Sequence, residues 1–398
     1  HCVSVVHTCG LPICEEFPYP RGVHWCSSLE HAIRLVNWAF AWHWLGADEA
    51  AIFAAAEGRS FRRRWLESIY RHCHFIARHF SRHSSANNHL LGEATGLFIA
   101  SLTWPLWPES SRWRGRARAE LAREALLQTF EDGVNREQAV WYHHAVADML
   151  IVAGLFARAN GCGFGAEYWG TLESMLDFLA SIMDVSGGVP AIGDADEGVL
   201  VRLAPPAGDP GAARGPDVYH SLLASGAVLF RRPEFRLKAG ECDDKTRWLL
   251  GDDAEERFGR LDASRAQLPV RRSFPRAGYY VLGDALETPR EVRIIADAGA
   301  LGYLSIAAHG HADALTFTLT VGGRPFLVDP GPFAYHTEGA WRRYFRGTSA
   351  HNTVVVDGED QSVFAGPFLW LRHAEATVDE FICSPGLQVL VAHHRGYR

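Results

Sequence analysis

The most constraining feature of the sequence is an alternating segment that runs into two glycines and then a second apolar segment. From Leu315 to Val321, apolar residues alternate with threonines, which is the period of a half-buried strand. Gly322-Gly323 can adopt the positive φ values of a tight reversal, and residues 325–328 read as the returning strand. The chain is therefore predicted to contain a β-hairpin between residues 315 and 328.

Three potential metal ligands accompany this hairpin: His311, Asp329 and His351. A carboxylate with two imidazoles is an ordinary zinc ligand set, with a fourth position for water or another group. Each histidine alone would be interpreted as a surface or core residue. Together, the three residues predict a site for one zinc ion with a structural role.

The spacing of the three ligands makes a geometric demand. If the hairpin is regular, Asp329 lies opposite Thr316, and a straight strand would hold His311 roughly 15 Å away. The segment 309–313 must then curl back over the hairpin if both residues bind one ion. Gly310 permits such a bend.

The sequence before the hairpin is mainly helical. Residues 1–26 are irregular, and Ser27 with Glu30 forms a capping-box pattern at the start of an apolar helix. Further helices are predicted at about 61–80, 90–102, 116–130, 137–159, 166–183, 218–231 and 245–258. Strand-like sequence begins after about residue 268. The pattern predicts a helical domain over residues 27–265 and a β domain over residues 270–398.

Composition excludes several classes of protein. The chain has 398 residues, of which 47% are hydrophobic and 21% charged, as is typical of a globular protein with room for two domains. A formal net charge of −7 argues against a nucleic-acid partner, and an acidic substrate would need a locally basic cleft. We expect no membrane span, because the longest apolar candidate, Ala145 to Ala157, is short and contains Asp148.

Compartment, redox state and oligomeric state have weaker sequence signals. The eight cysteines show no framework spacing, which leaves their redox state open, and nothing indicates an oligomeric state. No signal peptide is visible, but the chain begins at His1 without a methionine. A periplasmic or secreted location is expected, with a cytoplasmic one left open.

Two long segments resemble the C-terminal signature of the heparinase II/III-type polysaccharide lyases. They are HGHADALTFTLTVGGRPFLVDPG at residues 309–331 and YFRGTSAHNTVVVDG at residues 344–358. Residues 87–93 and 132–143 are similar to the two helical motifs of that family, and residues 190–194 resemble a third more weakly. The resemblance implies an N-terminal (α/α) toroid followed by an antiparallel β-sandwich, with the active cleft between them. Because the sequence stops within the family's β domain, we expect a truncated sandwich.

The reaction that this resemblance implies is β-elimination from a uronic-acid polysaccharide, which leaves an unsaturated uronide end. Removing the weakly acidic C5 proton needs a neutralised carboxylate, a base at C5 and an acid for the leaving oxygen at C4. Asn88 and His89 stand just ahead of a helix, where side-chain donors can meet an anion. Tyr142 can serve as acid, base or both, and His309 is the second base candidate. The predicted catalytic residues are therefore Asn88, His89, Tyr142 and His309.

Four further residues are predicted to contact the substrate: Glu137, Gln138, Tyr335 and Arg346.

The catalytic and substrate-contact assignments have structural alternatives. Asn88 could cap its helix, and Tyr142 could bridge core and solvent. Glu137 could be a first-turn carboxylate favoured by the helix dipole. Tyr335 and Arg346 could serve loop packing and surface charge.

Other functions stay open at this level. A glycoside hydrolase needs two carboxylates, for which Asp194 and Glu137 are the suggestive pair. A zinc hydrolase would use the same three ligands with an activated water. A non-catalytic carbohydrate-binding protein is the third alternative. The expected partner is an acidic polysaccharide, with a glycosaminoglycan favoured, and the sequence does not distinguish endo from exo action.

Overall fold

The computed structural model describes residues 17–196, 198–203, 217–262 and 270–398. Residues 1–16 of the predicted irregular segment lie outside the described residues, as does the start of strand-like sequence near residue 268.

The helices of the described part lie mainly in its first two thirds. They are α1 (Ser28–Trp44), α2 (Ala56–Arg78), α3 (Asn88–Thr103), α4 (Ser110–Leu127), α5 (Val140–Ala159), α6 (Ala166–Ile182), α7 (Val218–Phe230), α8 (Pro233–Ala239), α9 (Asp244–Leu250), α10 (Ala254–Gly259) and α11 (Gly339–Arg346).

The strands follow α10. They are β1 (Ser273–Phe274), β2 (Tyr279–Asp284), β3 (Val292–Asp297), β4 (Phe317–Val321), β5 (Arg324–Leu327), β6 (Val363–Gly366), β7 (Leu369–Arg372), β8 (Ala376–Ser384) and β9 (Leu387–His394). The first five form one antiparallel sheet in chain order, while β6–β7 and β8–β9 pair as separate hairpins.

The chain divides into two compact units. One contains the described residues up to Ala125, together with Asp148–Gly165 and Val199–Val201. The other contains Leu126–Ala147, Ala166–Gly198 and the described residues from Arg202 onward. The predicted domain limits, 27–265 and 270–398, stay a prediction.

In the first unit, a cap and a close helix contact follow from the sequence. The Ser27 side chain accepts a hydrogen bond from the backbone N–H of Glu30 at 3.4 Å, which confirms the predicted start of α1. Gly96 in α3 lies against Ala32 in α1, so closely that a Cβ at position 96 would lie 2.5 Å from the Ala32 Cα. Only a glycine permits this approach.

In the second unit, the five-stranded sheet packs on α6. Its buried core includes Phe178 of α6, Phe274, Tyr279 and Val281 from the first two strands, and Ile295 of β3. The Phe178 ring meets the Phe274 ring edge to face at 5.0 Å. This core supports the sheet from which the functional segments extend.

The predicted hairpin is confirmed, with a shift in register. Gly322 and Gly323 have φ values of 56° and 74°, as the tight reversal requires. A bulge beside Leu319 pairs it with Leu327, where the ladder ends, so the predicted pairing of Asp329 with Thr316 is wrong. Leu315 has a φ of 64° and lies outside β4, which begins at Phe317.

Backbone conformation also explains the helix boundaries that differ from expectation. Gln138 has a φ of 56°, so α5 begins at Val140 and Glu137 is not a first-turn residue. Gly251, with a φ of 92°, separates α9 from α10, where one helix is predicted. Arg231 in the left-handed region ends α7 before the unpredicted α8.

One helix in the described residues, α5, is long and apolar enough to meet the length and composition criteria of a membrane span. The helix is longer than the apolar segment Ala145 to Ala157 that the sequence pattern indicates. Of the most apolar stretch of this helix, 78% is buried within the protein, and core helices commonly meet the same criteria.

The close contact at Gly96 gives a test of the packing in the first unit. Gly96→Ala should lower the free energy of unfolding by about 1–3 kcal/mol, because the added Cβ meets the backbone of α1. Gly115→Ala in α4 is the matched control, since a Cβ there meets nothing within 4 Å. The control should raise that free energy by roughly 0.5–1 kcal/mol. Denaturant titrations compare both variants, and equal effects would contradict the close contact.

Candidate active site and metal centre

The buried carboxylate of Asp194 lies at the centre of the site in the second unit. Its Oδ2 lies 3.2 Å from Nδ1 of His309, and its Oδ1 lies 2.9 Å from Nε2 of His311. Arg342 donates to both oxygens, with Nη2 at 2.6 Å from Oδ2. Burial alone would raise the pKa of Asp194, but the hydrogen bonds from Arg342 and the two histidines outweigh burial and hold that pKa far below its usual range.

The predicted curl of segment 309–313 is confirmed, and backbone contacts hold it. A Cβ at Gly310 would lie 1.6 Å from the Leu301 carbonyl oxygen, so a close approach, not a positive φ, requires this glycine. Ala312 N–H donates to the Arg346 carbonyl at 2.9 Å, and Asp194 N–H donates to the His309 carbonyl at 2.9 Å. The backbone thus fixes the histidine segment both to α11 and to the Asp194 segment.

Tyr142 and His309 form a stacked pair. Their ring centroids lie 3.6 Å apart at an interplanar angle of 16°. The Tyr142 hydroxyl lies 3.1 Å from the Tyr335 hydroxyl. Burial raises the pKa of Tyr142 above its ordinary value, so its hydroxyl keeps its proton at neutral pH. The pair therefore combines a proton donor with an imidazole that can accept a proton.

Glu137 and Gln138 lie in the turn before α5. Glu137 is buried, and its Oε2 lies 3.7 Å from His309 Nε2, beyond hydrogen-bond distance. Its backbone N–H donates to the Asn135 side chain at 3.0 Å. Gln138 is also buried, and its Nε2 donates to the Ala277 carbonyl at 3.0 Å. Gln138 therefore fastens the turn to the start of the sheet, while Glu137 lies beside the candidate base.

The expected substrate-facing position of Arg346 is corrected by the structure. Its side chain is fully buried, and it donates to the carbonyls of Gly366 at 3.1 Å and Pro367 at 2.6 Å. Its guanidinium also lies 4.7 Å from the Trp370 ring. Burial lowers its pKa to about 10. Arg346 therefore connects α11 to the β6–β7 hairpin.

Tyr335 lies beside the candidate catalytic pair, in hydroxyl contact with Tyr142, and its contact with substrate stays a prediction. The Arg342 guanidinium lies 4.8 Å from the Tyr335 ring, and the Phe368 ring meets the same tyrosine edge to face at 5.3 Å. Because Arg342 also binds Asp194, the tyrosine and the carboxylate are positioned by one guanidinium.

Asn88 and His89 belong to the first unit. Asn87, not Asn88, caps α3, because the Asn87 side chain accepts a hydrogen bond from the His89 N–H at 3.1 Å. Asn88 is the first helical residue and is buried. The capping alternative therefore applies to its neighbour.

The three predicted metal ligands do converge. One side-chain ligand atom from each of His311, Asp329 and His351 lies within 4.8 Å of the others, and all three residues are buried. Asp329 Oδ2 lies 3.1 Å from His351 Nδ1, and Asp329 Oδ1 accepts from the Gly331 N–H at 2.9 Å. Nδ1 of His311 and Nε2 of His351 are buried without a protein partner. Two orphaned imidazole nitrogens beside a carboxylate fit a metal centre.

Asn352 explains how residues far apart in sequence reach this centre. Its side-chain amide donates to the Phe317 carbonyl at 3.0 Å and to the Val328 carbonyl at 2.9 Å. It thereby connects the two sides of the hairpin beyond Leu327, where the ladder stops. This bridge brings His351, which precedes Asn352, close to Asp329, which follows Val328.

The charge around the triad also fits a cation. Asp297 and Asp313 are buried nearby, and both interact electrostatically with Asp329. Burial, with repulsion from Asp329, raises the pKa of Asp297 to about 7, and burial raises the pKa of Asp313 well above its usual value. Within the described residues, Asp329 forms an ion pair with His351, and neither Asp297 nor Asp313 forms one. Ionised carboxylates are therefore unfavourable here without a cation, and a bound cation would stabilise their ionised form.

Sequence reasoning missed the pairing of Asp194 with Arg342: it considered Asp194 only as a carboxylate of a glycoside hydrolase and gave Arg342 no role of its own in the site. Asp194 had a signal, because it ends the third and weakest family-like motif, at residues 190–194. Arg342 had no signal beyond its position four residues before Arg346. That spacing puts both side chains on one side of a helix, so pattern alone does not tell them apart.

The triad gives a test of metal binding. His351→Ala should reduce zinc content after dialysis and lower the melting temperature, because a ligand bound only by the folded state stabilises it. His393→Ala is the control, since His393 is exposed and pairs with Asp379 on the β8–β9 hairpin of the same unit. Elemental analysis and thermal unfolding measure both effects. Full zinc content in the His351 variant would remove that residue from the ligand set.

The burial of Arg346 gives a second test. Arg346→Gln should destabilise the protein by about 3–5 kcal/mol, since it removes a buried charge and leaves several carbonyls without donors. Arg343→Gln on the same helix is the control, because Arg343 is exposed. Unfolding titrations measure both variants. A stable Arg346 variant with only a raised KM would restore the substrate-facing assignment.

Comparison with known proteins places these features in a family. Residues 22–202 match the family described as heparinase II/III N-terminus, and residues 266–398 match heparinase II/III-like, C-terminal. A heparin-sulfate lyase of Pedobacter heparinus is 24% identical over 311 residues, covering 76% of this chain and 40% of that protein. A heparin-sulfate lyase of Bacteroides thetaiotaomicron is 24% identical over 295 residues, covering 72% of this chain and 39% of that protein. The chain thus spans about 40% of the length of these curated relatives.

Solved structures show the same fold. A crystal structure of heparinase III aligns with a TM-score of 0.67 at 17% identity, over 96% of this chain and 53% of that one. A mutant heparan sulfate lyase from Pedobacter heparinus aligns with a TM-score of 0.65 at 20% identity, over 97% of this chain and 53% of that one. The predicted fold class, an (α/α) toroid followed by antiparallel β-sandwich sheets, is confirmed.

Proposed function

The chain belongs to the heparinase II/III-like family, and we propose that it cleaves a uronic-acid-containing polysaccharide by β-elimination. The observation that carries the proposal is the stacked pair of Tyr142 and His309, a protonated phenol against an imidazole held by Asp194. Such a pair can remove one proton and deliver another at neighbouring atoms.

The chemistry requires two proton transfers and one broken bond. A base takes the C5 proton, the C4–O bond breaks, a C4–C5 double bond forms, and the departing oxygen takes a proton. In our proposal His309 acts as base or as partner of the tyrosine, and Tyr142 supplies the proton to the leaving oxygen. Tyr142 can supply this proton because its hydroxyl is protonated at neutral pH, while burial, which raises its pKa, makes it a weaker acid.

Neutralisation of the uronate carboxylate falls to Asn88 and His89 in our proposal. Both lie at the start of α3, where side-chain and backbone donors favour an anion. Glu137 and Tyr335 lie next to the stacked pair and would contact the sugar ring or its substituents. Gln138 would act less directly, by holding the turn that carries Glu137.

We propose a glycosaminoglycan substrate of the heparan sulfate type. The curated relatives are named heparin-sulfate lyases. The protein itself is acidic, with a formal net charge of −7, so binding a polyanion depends on local donors instead of overall charge. A polymer of this kind is found outside the cytoplasm, which would place the protein in the periplasm or outside the cell.

We further propose that His311, Asp329 and His351 hold one zinc ion with a structural role. Bound zinc would neutralise part of the buried carboxylate charge and order the segments that carry its ligands. The complete burial of the triad supports a structural role over an open hydrolytic centre, which needs access for water and substrate.

A glycoside hydrolase is disfavoured by the surroundings of its candidate carboxylates. Asp194 is fully buried, and both of its oxygens are bound by Arg342 and the two histidines. It therefore has no free oxygen for a water or a glycosidic bond, as an acid–base pair with Glu137 would require.

The experiment that tests the proposed function is a panel of uronic-acid polymers assayed for the ultraviolet absorbance of an unsaturated uronide. Absorbance should rise with heparan sulfate and less with alginate or hyaluronan. New reducing ends without absorbance would indicate a hydrolase. Binding of heparan sulfate without any turnover would support a non-catalytic carbohydrate-binding protein.

The proton donor has its own test. Tyr142→Phe keeps the ring stacked on His309 and removes only the hydroxyl, so kcat should fall by roughly 10²–10⁴-fold with the fold intact. Tyr280→Phe is the control, since Tyr280 is buried in the same unit against Phe381. Steady-state kinetics on the best substrate measure both variants. Near-normal turnover in the Tyr142 variant would make that tyrosine structural.

A further inference from the structure

Two functional histidines share one carboxylate. His309 and His311 are separated by a single residue, and each uses a different ring nitrogen to reach a different oxygen of Asp194. His309 binds through Nδ1, and His311 binds through Nε2. The two rings therefore point their other nitrogens to different surroundings.

These contacts fix which nitrogen of each ring is available. A carboxylate paired with a guanidinium through both oxygens is ionised and can only accept hydrogen bonds. Nδ1 of His309 and Nε2 of His311 must therefore carry hydrogens toward Asp194. In a neutral ring, this leaves Nε2 of His309 free on the side of Glu137, and Nδ1 of His311 free in the buried triad.

Arg342 makes this arrangement possible. Its guanidinium binds both oxygens of Asp194 and also donates to the Pro367 carbonyl at 2.9 Å. The same group lies against the rings of Tyr335 and Phe368, at 4.8 Å and 5.1 Å. Asp194 thus receives four donors while fully buried, which an asparagine, with one acceptor oxygen, would not match.

We propose that Asp194 is a shared positioning residue that couples the metal centre to the proton-transfer pair, with Arg342 as its fixed counter-charge. One carboxylate sets the orientation of two rings: that of His311, a proposed metal ligand, and that of His309, which stacks on Tyr142. A disturbance of either ring is then transmitted to the other through Asp194. This inference rests on the proposed function for its kinetic part, and on the triad alone for its metal part.

The test replaces Asp194 by Asn and measures two quantities. Zinc affinity, from competition with a chelator, should fall by roughly 10–100-fold, the usual effect of removing an outer partner of a ligand. The kcat on heparan sulfate should fall, with a smaller change in KM, because the substrate contacts are unaltered. Asp184→Asn is the control: Asp184 is buried in the same unit and accepts from Ser186 and Gly188 in its own loop. The control should lose stability without losing zinc affinity.

Arg342→Lys provides a second variant if the Asp194 variant does not fold. It keeps the positive charge but loses the two-point contact with Asp194, so zinc affinity and kcat should fall together and by less. In either variant, loss of kcat with unchanged zinc affinity would overturn the coupling, as would loss of affinity with unchanged kcat. If the protein proves not to be a lyase, the zinc measurement still stands: unchanged affinity would overturn the metal part, and reduced affinity would support it.

Discussion

The buried ion pair of Asp194 and Arg342 is the interaction on which the site depends. Placing both charges in the interior costs several kcal/mol of desolvation per ion, which is recovered only through close pairing and additional hydrogen bonds. Here the carboxylate receives two imidazoles and a guanidinium, and the guanidinium reaches a further carbonyl. Apolar side chains of the same volume would fill this space at a lower cost in free energy. The charged network holds two histidine rings in defined orientations, which is a requirement of catalysis and of metal binding alike.

The backbone brings these groups together by close approach. Gly310 passes so near the Leu301 carbonyl that no side chain fits, and this separates two histidines that are neighbours in sequence. Asn352 bridges the hairpin where its ladder ends and thereby brings His351 to Asp329. A small number of contacts to the main chain thus creates two adjacent centres in one compact unit, one suited to moving protons and one to holding a metal ion.

Sequence patterns predicted those parts of the site whose residues share a local segment. The hairpin and the His311–Asp329–His351 triad could be predicted because alternation, the glycine pair and the ligand types stand within one run. The Asp194–Arg342 pair could not, since its members are 148 residues apart and a salt bridge has no periodicity. Arg346 was misplaced because burial of an arginine on a short helix depends on what packs over it. The positive φ of Gln138, which delays α5, likewise has no signature in the residue type.

We propose that this chain breaks its polysaccharide by elimination, through a tyrosine–histidine pair held by Asp194. Mass spectrometry of heparan sulfate fragments produced by the purified protein tests this most directly, because elimination adds no water to the cleaved bond and hydrolysis adds one molecule. The account predicts that fragments from within the polymer are lighter by one water than the corresponding hydrolysis products and carry an unsaturated uronide at the non-reducing end, with none from the Tyr142→Phe variant at matched time. Fragments from within the polymer that carry the added water and a saturated uronide would contradict it.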